Sequence, residues 1–319
     1  MSSLEELKTN FASKEEIRQL AKAMATTSTA NDMITVEYDP ELQKKVFHKA
    51  PFLAYLEQNG LVKSAESYEV GYKVKEQKTS ASFISEGADI PAHDPAGFKA
   101  EIAKMKTLVY PIEMSDLLQA GMPDYDIFTD EVQDGFLDMS QTKDITLLQG
   151  NETSNSNEFT GFFNTIPSES TTNMKGENIS LDAIDIAAQT VIDNGGNPSA
   201  IITTASVGRQ INKILSDKYR YLEKLELTFG VRATAYNAPD GNQIPIIIDP
   251  NINTSVNGEQ LAFIDNDTVR MRELAPISLI DLAKTKLSTS KVLFTWFTFY
   301  NRAGYKNGYI KNIGSDITP

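Results

Sequence analysis

No cysteine occurs in the chain, so disulfides and thiolate chemistry are excluded. Histidine is nearly as scarce, with only His48 and His93. Without cysteine, and with two histidines 45 positions apart in sequence, the ligand spacings of a structural zinc site are not met, and no metal or cofactor site is expected. Long apolar runs are missing too. The longest, Val292 to Tyr300, is interrupted by Thr295 and Thr298 and falls well short of the ~20 residues that a membrane-crossing helix needs. Met1 to Glu6 has no basic flank followed by an apolar run, so no secretory signal is expected, and the Asn-x-Ser/Thr triplets at Asn151, Asn178, Asn253 and Asn266 read as chance.

Basic charge is in deficit. Thirty Lys and Arg stand against 43 Asp and Glu, a net charge of −13. A protein that grips nucleic acid by its phosphates relies on a basic surface, because counterion release supplies most of that affinity. An acidic protein can still enclose DNA, provided it does not hold it tightly. Catalytic signatures are also absent: there is no Gly-x₄-Gly-Lys-Ser/Thr loop, no Gly-x-Gly-x-x-Gly turn and no His-Glu-x-x-His helix. Neither histidine has a nucleophile motif beside it, so no catalytic residue is assigned. Asp265-Asn266-Asp267 lacks the following glycine and distant glutamate of an EF-hand loop and reads as a turn between strands. The many acids leave open a hydrolase built on a carboxylate pair, as the third of three readings.

What is present is a 319-residue chain, 40% hydrophobic and 23% charged, able to bury a sizeable core as one elaborated domain or two. Residues 1–60 read as helices on an arm. Ser13 and Glu16 form a capping box ahead of Ile17, Leu20, Ala21 and Met24. Asp39-Pro40 opens a second short helix, and a further turn with Phe52, Leu53 and Leu56 stops at Gly60. Tyr68, Val70, Tyr72 and Val74 then alternate with polar residues, the period of a strand, and an extended run from Phe98 to Tyr110 returns after a tip at residues 85–91. Two arms of about fourteen residues would reach ~46 Å, against a radius of gyration of ~20 Å for a body of this length. Such a hairpin needs a surface to lie on, and a neighbouring copy is the obvious one. The hairpin carries Lys73, Lys75 and Lys78 near Tyr68 and Tyr72, diluted by Glu66, Glu69 and Glu76, so a solvated or subunit-facing strand is expected in preference to a nucleic-acid strand.

Residues 124–149 predict a long helix with Phe128, Val132, Phe136 and Met139 on the core face and Asp126, Asp130, Asp134 and Asp138 on the opposite one. That ridge is either a solvated face or one that meets basic groups of another subunit. Ser180 caps a helix through Leu181, Ile184, Ala188 and Val191, Ala200–Thr204 is a strand, and Val207 to Leu215 is a helix. Phe229–Tyr236 and Ile244–Ile248 flank an Asp240-Gly241 turn, and the remainder is strand: Leu261–Ile264, Val269–Leu274, Lys291–Arg302 and Tyr305–Ile313.

This order of arm, long hairpin, long helix, α/β lobe and closing strands resembles the tailed-bacteriophage major capsid fold, the Hong Kong ninety-seven type. Three stretches carry the resemblance. Phe83-Ile84-Ser85-Glu86-Gly87-Ala88-Asp89-Ile90-Pro91 looks like the tip of that family's extended loop. Residues 144–150 followed by Phe159-Thr160-Gly161-Phe162-Phe163-Asn164 are similar to the end of its spine helix and the next loop. Ile244–Asp249 and Leu261–Asp265 resemble strands returning from its axial to its peripheral lobe.

The resemblance covers residues 60–313 and implies an α+β capsid subunit. The arm would be 1–60, the extended loop 61–110, the axial lobe 166–250, and the peripheral lobe with its spine helix 111–165 and 251–319. It further implies a structural, non-enzymatic protein that self-assembles through hexamers and pentamers into an icosahedral head around double-stranded DNA. Partners would be a portal protein and scaffolding or decoration proteins, with no sequence-specific DNA binding and no membrane. Assembly would take place in the host cytoplasm and the product would be the virion. Subunit-interface residues would include Lys73, Lys75, Lys78, Glu86, Asp126, Asp130, Asp134 and Asp138. The alternative is an encapsulin, a cellular compartment with the same fold.

Overall fold

The computed structural model describes residues 49–76, 81–87, 89, 90, 92, 97–117, 127–218, 225–227, 231–233, 235–239, 241–284 and 286–315. The Ser13 capping box, the Asp39-Pro40 helix start, both histidines, Lys78 and Asp126 lie outside them.

Strands β6 (Ala200–Thr203), β10 (Gln243–Ile248), β11 (Glu259–Ile264) and β14 (Gly308–Ile313) form the centre of a six-stranded sheet. Its order is β5-β14-β11-β6-β10-β9, with β5 at Thr171–Asn173 and β9 at Ala235–Asn237. The alternation of side chains along a strand divides these residues between two cores. Ile201, Ile246 and Phe263 face helices α3 (Leu181–Asp193) and α4 (Ala205–Lys218), packing with Ile184, Ala188, Val191, Val207 and Ile211. Ile202, Ile247, Ala262 and Ile264 face the other way, into a core shared with Phe162, Phe297 and Phe299. Strands covered on both faces are apolar nearly throughout, which is why Ile244–Ile248 reads as an unbroken run. Ser180 caps α3 as its sequence predicts, its Oγ accepting from Ala183 N at 3.1 Å.

The second sheet has the order β1-β12-β13-β4, with β1 at Val62–Ser64, β4 at Lys106–Ser115, β12 at Val269–Asp281 and β13 at Ser288–Asn301. Helix α2 (Ile127–Gln149) lies against it through Phe128, Val132 and Met139, which meet Ile112, Tyr110 and Leu293. Gly135 is the point of closest approach: a Cβ there would stand 2.7 Å from Leu293 Cδ1 and 2.8 Å from Tyr110 Cδ1. A short helix, α1 (Pro51–Gln58), starts at Pro51 and buries Phe52, Leu53, Tyr55 and Leu56 in the shared core, with Phe52 against Phe162 and Phe299.

Three expectations are corrected. The run Phe98–Tyr110 is two strands: β3 (Gly97–Lys104) pairs with β2 (Glu69–Glu76), whereas β4 pairs with β13. Met105 breaks the run because its side chain is buried while its N–H bonds Tyr68 O at 2.9 Å. The paired part of the hairpin is therefore about 26 Å long. Secondly, β12 runs on to Asp281, beyond Leu274, and opposes the start of β13 through two register shifts. Thirdly, Tyr305 falls in a 3₁₀ turn at Gly304–Lys306, and the last strand starts at Gly308.

Candidate assembly interface

The hairpin β2–β3 has two unlike faces. Val70, Tyr72, Val74, Glu101 and Ala103 share the inner one, each half-buried. Tyr72 stacks on Tyr300 of β13, ring centroids 4.8 Å apart and planes 9° from parallel, and donates its hydroxyl to Glu101. Burial and the Glu101 carboxylate push the Tyr72 phenol well up. Glu101 is lowered in turn, first by Lys99 and then by the Tyr72 hydroxyl. This anchors the root of the hairpin on the four-stranded sheet.

The outer face carries Lys73 and Lys75 from β2, and Phe98, Ala100 and Ile102 from β3. Lys75 stands opposite Phe98 and Lys73 opposite Ala100. Phe98 is 71% exposed and Ile102 63%. Towards the tip Phe83, Ile84 and Ile90 are exposed as well, beside exposed Glu86. The outer face of this two-stranded ribbon is thus an exposed apolar and basic strip.

The aspartate ridge of α2 stands only partly opposite the sheet. Tyr110 on β4 is raised by burial and then by the charges of Glu131, Asp138 and Asp134, which places that flank of the helix beside the sheet. The reason is helical drift: residues four apart turn a further 40° about the axis, so Asp138, Asp134 and Asp130 wind from the sheet's edge outward. All three are half-buried. Phe136, expected in the core, is 37% exposed, because Gly135 makes the contact and turns its neighbour aside. Leu137, 52% exposed, stands on the outward side of α2, which it shares with Asp130, Asp134 and exposed Gln133. Lys73, Lys75, Asp130, Asp134 and Asp138 thus lie on two exposed or half-exposed surfaces of one subunit.

Sequence reasoning missed the groups that fix the end of α2. Asn164 Nδ2 donates to Gln149 O (3.2 Å) and Gly150 O (2.9 Å), and Gly161 N donates to Gly150 O at 2.7 Å. These bonds satisfy carbonyls that a helix end leaves without partners. Deeper in, Lys143 pairs with Glu273 at 2.8 Å beneath the Phe297 ring. Asp144 and Asp249 meet beside α1, both fully buried, and Asp144 is pushed up to about 8 by burial first and then by the Asp249 charge. No spacing signals that meeting, since 105 positions separate the two. The one clue is a carboxylate ending the apolar run Ile244–Ile248.

Among the described residues no group of three or more His, Cys, Asp or Glu is placed to hold a metal ion, and no helix is long and apolar enough to cross a membrane. An open groove of about 520 Å³ runs beside β5 and β14, lined by Asn164, Asn173, Asn257, Tyr309 and Lys311 among others.

The protein is similar to the capsid of cyanophage A-1(L), with a TM-score of 0.71 at 9% identity over 91% of this chain and 99% of that one. A structure from Mycobacterium phage Bobi matches with a TM-score of 0.65 at 12% identity, over 90% and 98%. The SrpI encapsulin of Synechococcus elongatus matches with a TM-score of 0.65 at 10% identity, over 92% and 98%. No curated protein matches by sequence. The family model of the SU10 major capsid protein matches residues 25–314. The chain belongs to that family, with the Hong Kong ninety-seven-type fold, and is a structural capsid protein.

Proposed function

We propose that copies of this chain assemble, through hexamers and pentamers, into the icosahedral head of a tailed phage enclosing double-stranded DNA. In this reading the outer face of one subunit's β2–β3 hairpin lies on the outward arc of a neighbour's α2. The observation that carries it is the shared face of Lys73, Lys75, Phe98 and Ile102, which matches a helix arc bearing Leu137, Phe136 and the Asp130–Asp134 margin. Residues 61–110 then serve as the extended loop, 166–250 as the axial lobe, and 111–165 with 251–319 as the peripheral lobe. Glu86, exposed at the tip, is taken as part of the same contact zone.

Net charge of −13 supports a wall that repels phosphate, so that DNA is packed and ejected without sticking. Portal, scaffolding and decoration proteins are the expected partners, the subunit itself has no catalytic role, and assembly takes place in the host cytoplasm. An encapsulin reading is supported by the likeness to the SrpI shell. Its particles would contain protein cargo and no genome, so the nucleic-acid content of purified particles separates the two.

The charge match gives the test. Each exposed pair contributes only about 0–1 kcal/mol, yet it recurs at every contact in a shell and weakens with salt. Asp130→Lys with Asp134→Lys is expected to lower shell yield severalfold at low ionic strength. Adding Lys73→Glu with Lys75→Glu restores part of it, as read by sedimentation. A quadruple variant assembling no better than the double variant would show that the ridge makes no such contact.

A further inference from the structure

The end of α2 opens onto a groove whose walls are rich in amides. The hollow of about 520 Å³ beside β5 and β14 shares Asn173 with a second of about 470 Å³, and Phe163, Asn164 and Asn257 with a third of about 200 Å³. Its shape is fixed by bonds that are already made. Gln149, the last residue of α2, donates from Nε2 to Asn253 O at 3.0 Å and accepts on Oε1 from Asn253 N at 2.8 Å. Phe163 stacks on Tyr309, ring centroids 5.1 Å apart, and the Tyr309 hydroxyl donates to Gln260 Oε1 at 2.7 Å.

Among the described residues that line these hollows the charged ones are Lys175 and Lys311, both basic, in a chain of net charge −13. Glu169, Glu177 and Glu259 are close in sequence but do not line them. The hairpin tip has the opposite character. From Ala81 to Ala92 it carries Glu86 and Asp89 and no basic residue, and Phe83, Ile84 and Ile90 are exposed beside them. Residues 81–85 belong to no helix or strand, so amide side chains of a host can pair with their backbone. Val256, 83% exposed at the groove's rim, gives the apolar side chains of the tip a partner.

We propose that this groove receives the hairpin tip, residues 81–90, of a second copy of the chain. The proposal rests on the assembly reading above and adds a landing site to it. Reach is sufficient. Helix α2 has 23 residues and is about 34 Å long. Ser85 stands nine residues past the end of β2 at Glu76, up to about 30 Å of chain. A hairpin laid along a neighbour's α2 can thus bring its tip to the end of that helix, where Gln149 and Asn164 open the groove.

Because the chain has no cysteine, an introduced pair reports the contact without background. Ser85→Cys at the tip and Ser168→Cys in the groove, both exposed positions, are combined in the full-length chain, and its assembled particles are treated with a short bismaleimide. Covalent oligomers are expected to form at least roughly tenfold faster than from Ser85→Cys with Gln189→Cys, because held neighbours react at a high effective concentration. Gln189 is an exposed residue of α3, which packs with Ile310 on the sheet face opposite Tyr309. Val256→Cys replaces Ser168→Cys should the latter not fold. Lys175→Glu with Lys311→Glu should slow the reaction severalfold. Particles in which both groove pairs react no faster than the Gln189 pair, or in which the lysine substitutions change nothing, overturn the proposal and leave the assembly reading standing. If the unsubstituted chain forms no particles, both fall.

Discussion

Glu substitutions at Phe98 and Ile102 are expected to abolish shell assembly while leaving the subunit folded. Both side chains point away from the body, on the face opposite the Tyr72–Tyr300 stack. Their removal therefore takes no contact from the subunit's own core, and its thermal midpoint should move by no more than about 2 °C. Against a neighbour the effect is large. Apolar anchors at the centre of an interface are worth about 2 kcal/mol or more each, and a carboxylate in their place also meets the acidic margin of α2. A loss of about 3 kcal/mol per contact raises the concentration needed for assembly by roughly a hundredfold. Sedimentation and thermal melting on the same sample check both halves. Normal shells from the double variant would place the contact elsewhere, and an unfolded variant would show that this face belongs to the core.

Replacing Gly161 by alanine should destabilise the subunit by about 3 kcal/mol, lowering its melting temperature by roughly 5 °C. The backbone at Gly161, φ −72° and ψ 167°, suits any residue, so conformational strain plays no part. The obstacle is the close approach of the loop to the end of α2. A Cβ would stand 2.5 Å from Gly150 N, 2.7 Å from Gln149 N and 2.8 Å from the Leu148 carbonyl carbon. These are backbone atoms of a packed helix and cannot move aside as a flexible side chain would. Relieving the clash also means giving up the Gly161 N–H bond to Gly150 O. Gly71→Ala is the control, because the nearest atom to its Cβ is Glu101 O at 3.9 Å. A loss below about 1 kcal/mol at Gly161, by calorimetry, would contradict the packing described.

Much of this architecture was legible because period and capping chemistry act locally. The alternation through Tyr68–Val74 gives β2, Ser180 fixes the start of α3, and the apolar run Ile244–Ile248 gives a strand covered on both faces. The capsid resemblance came from the order of such elements, and the glycine-bearing stretch 159–164 proves to be the cap on the end of α2. Errors arose where tertiary contact overrides local pattern. Met105 looks like one more strand residue until its burial at the hairpin root separates β3 from β4. Phe136 reads as core until Gly135, which has no side chain to signal it, takes the contact with Leu293 and Tyr110. The hairpin lysines and the helix aspartates are visible in the sequence as charges, whereas the exposure of Phe98, Ile102 and Leu137 near them is not. Exposure is a property of the fold and has no spacing of its own. For the same reason the meeting of Asp144 with Asp249 left no trace in the chain order.

The central claim, that this subunit exists to build a shell, is tested most directly by negative-stain electron microscopy of the purified full-length chain. Closed particles of uniform diameter, absent when Phe98 and Ile102 are both glutamate, are the expected result. A dispersed monomer at every protein and salt concentration would contradict the account.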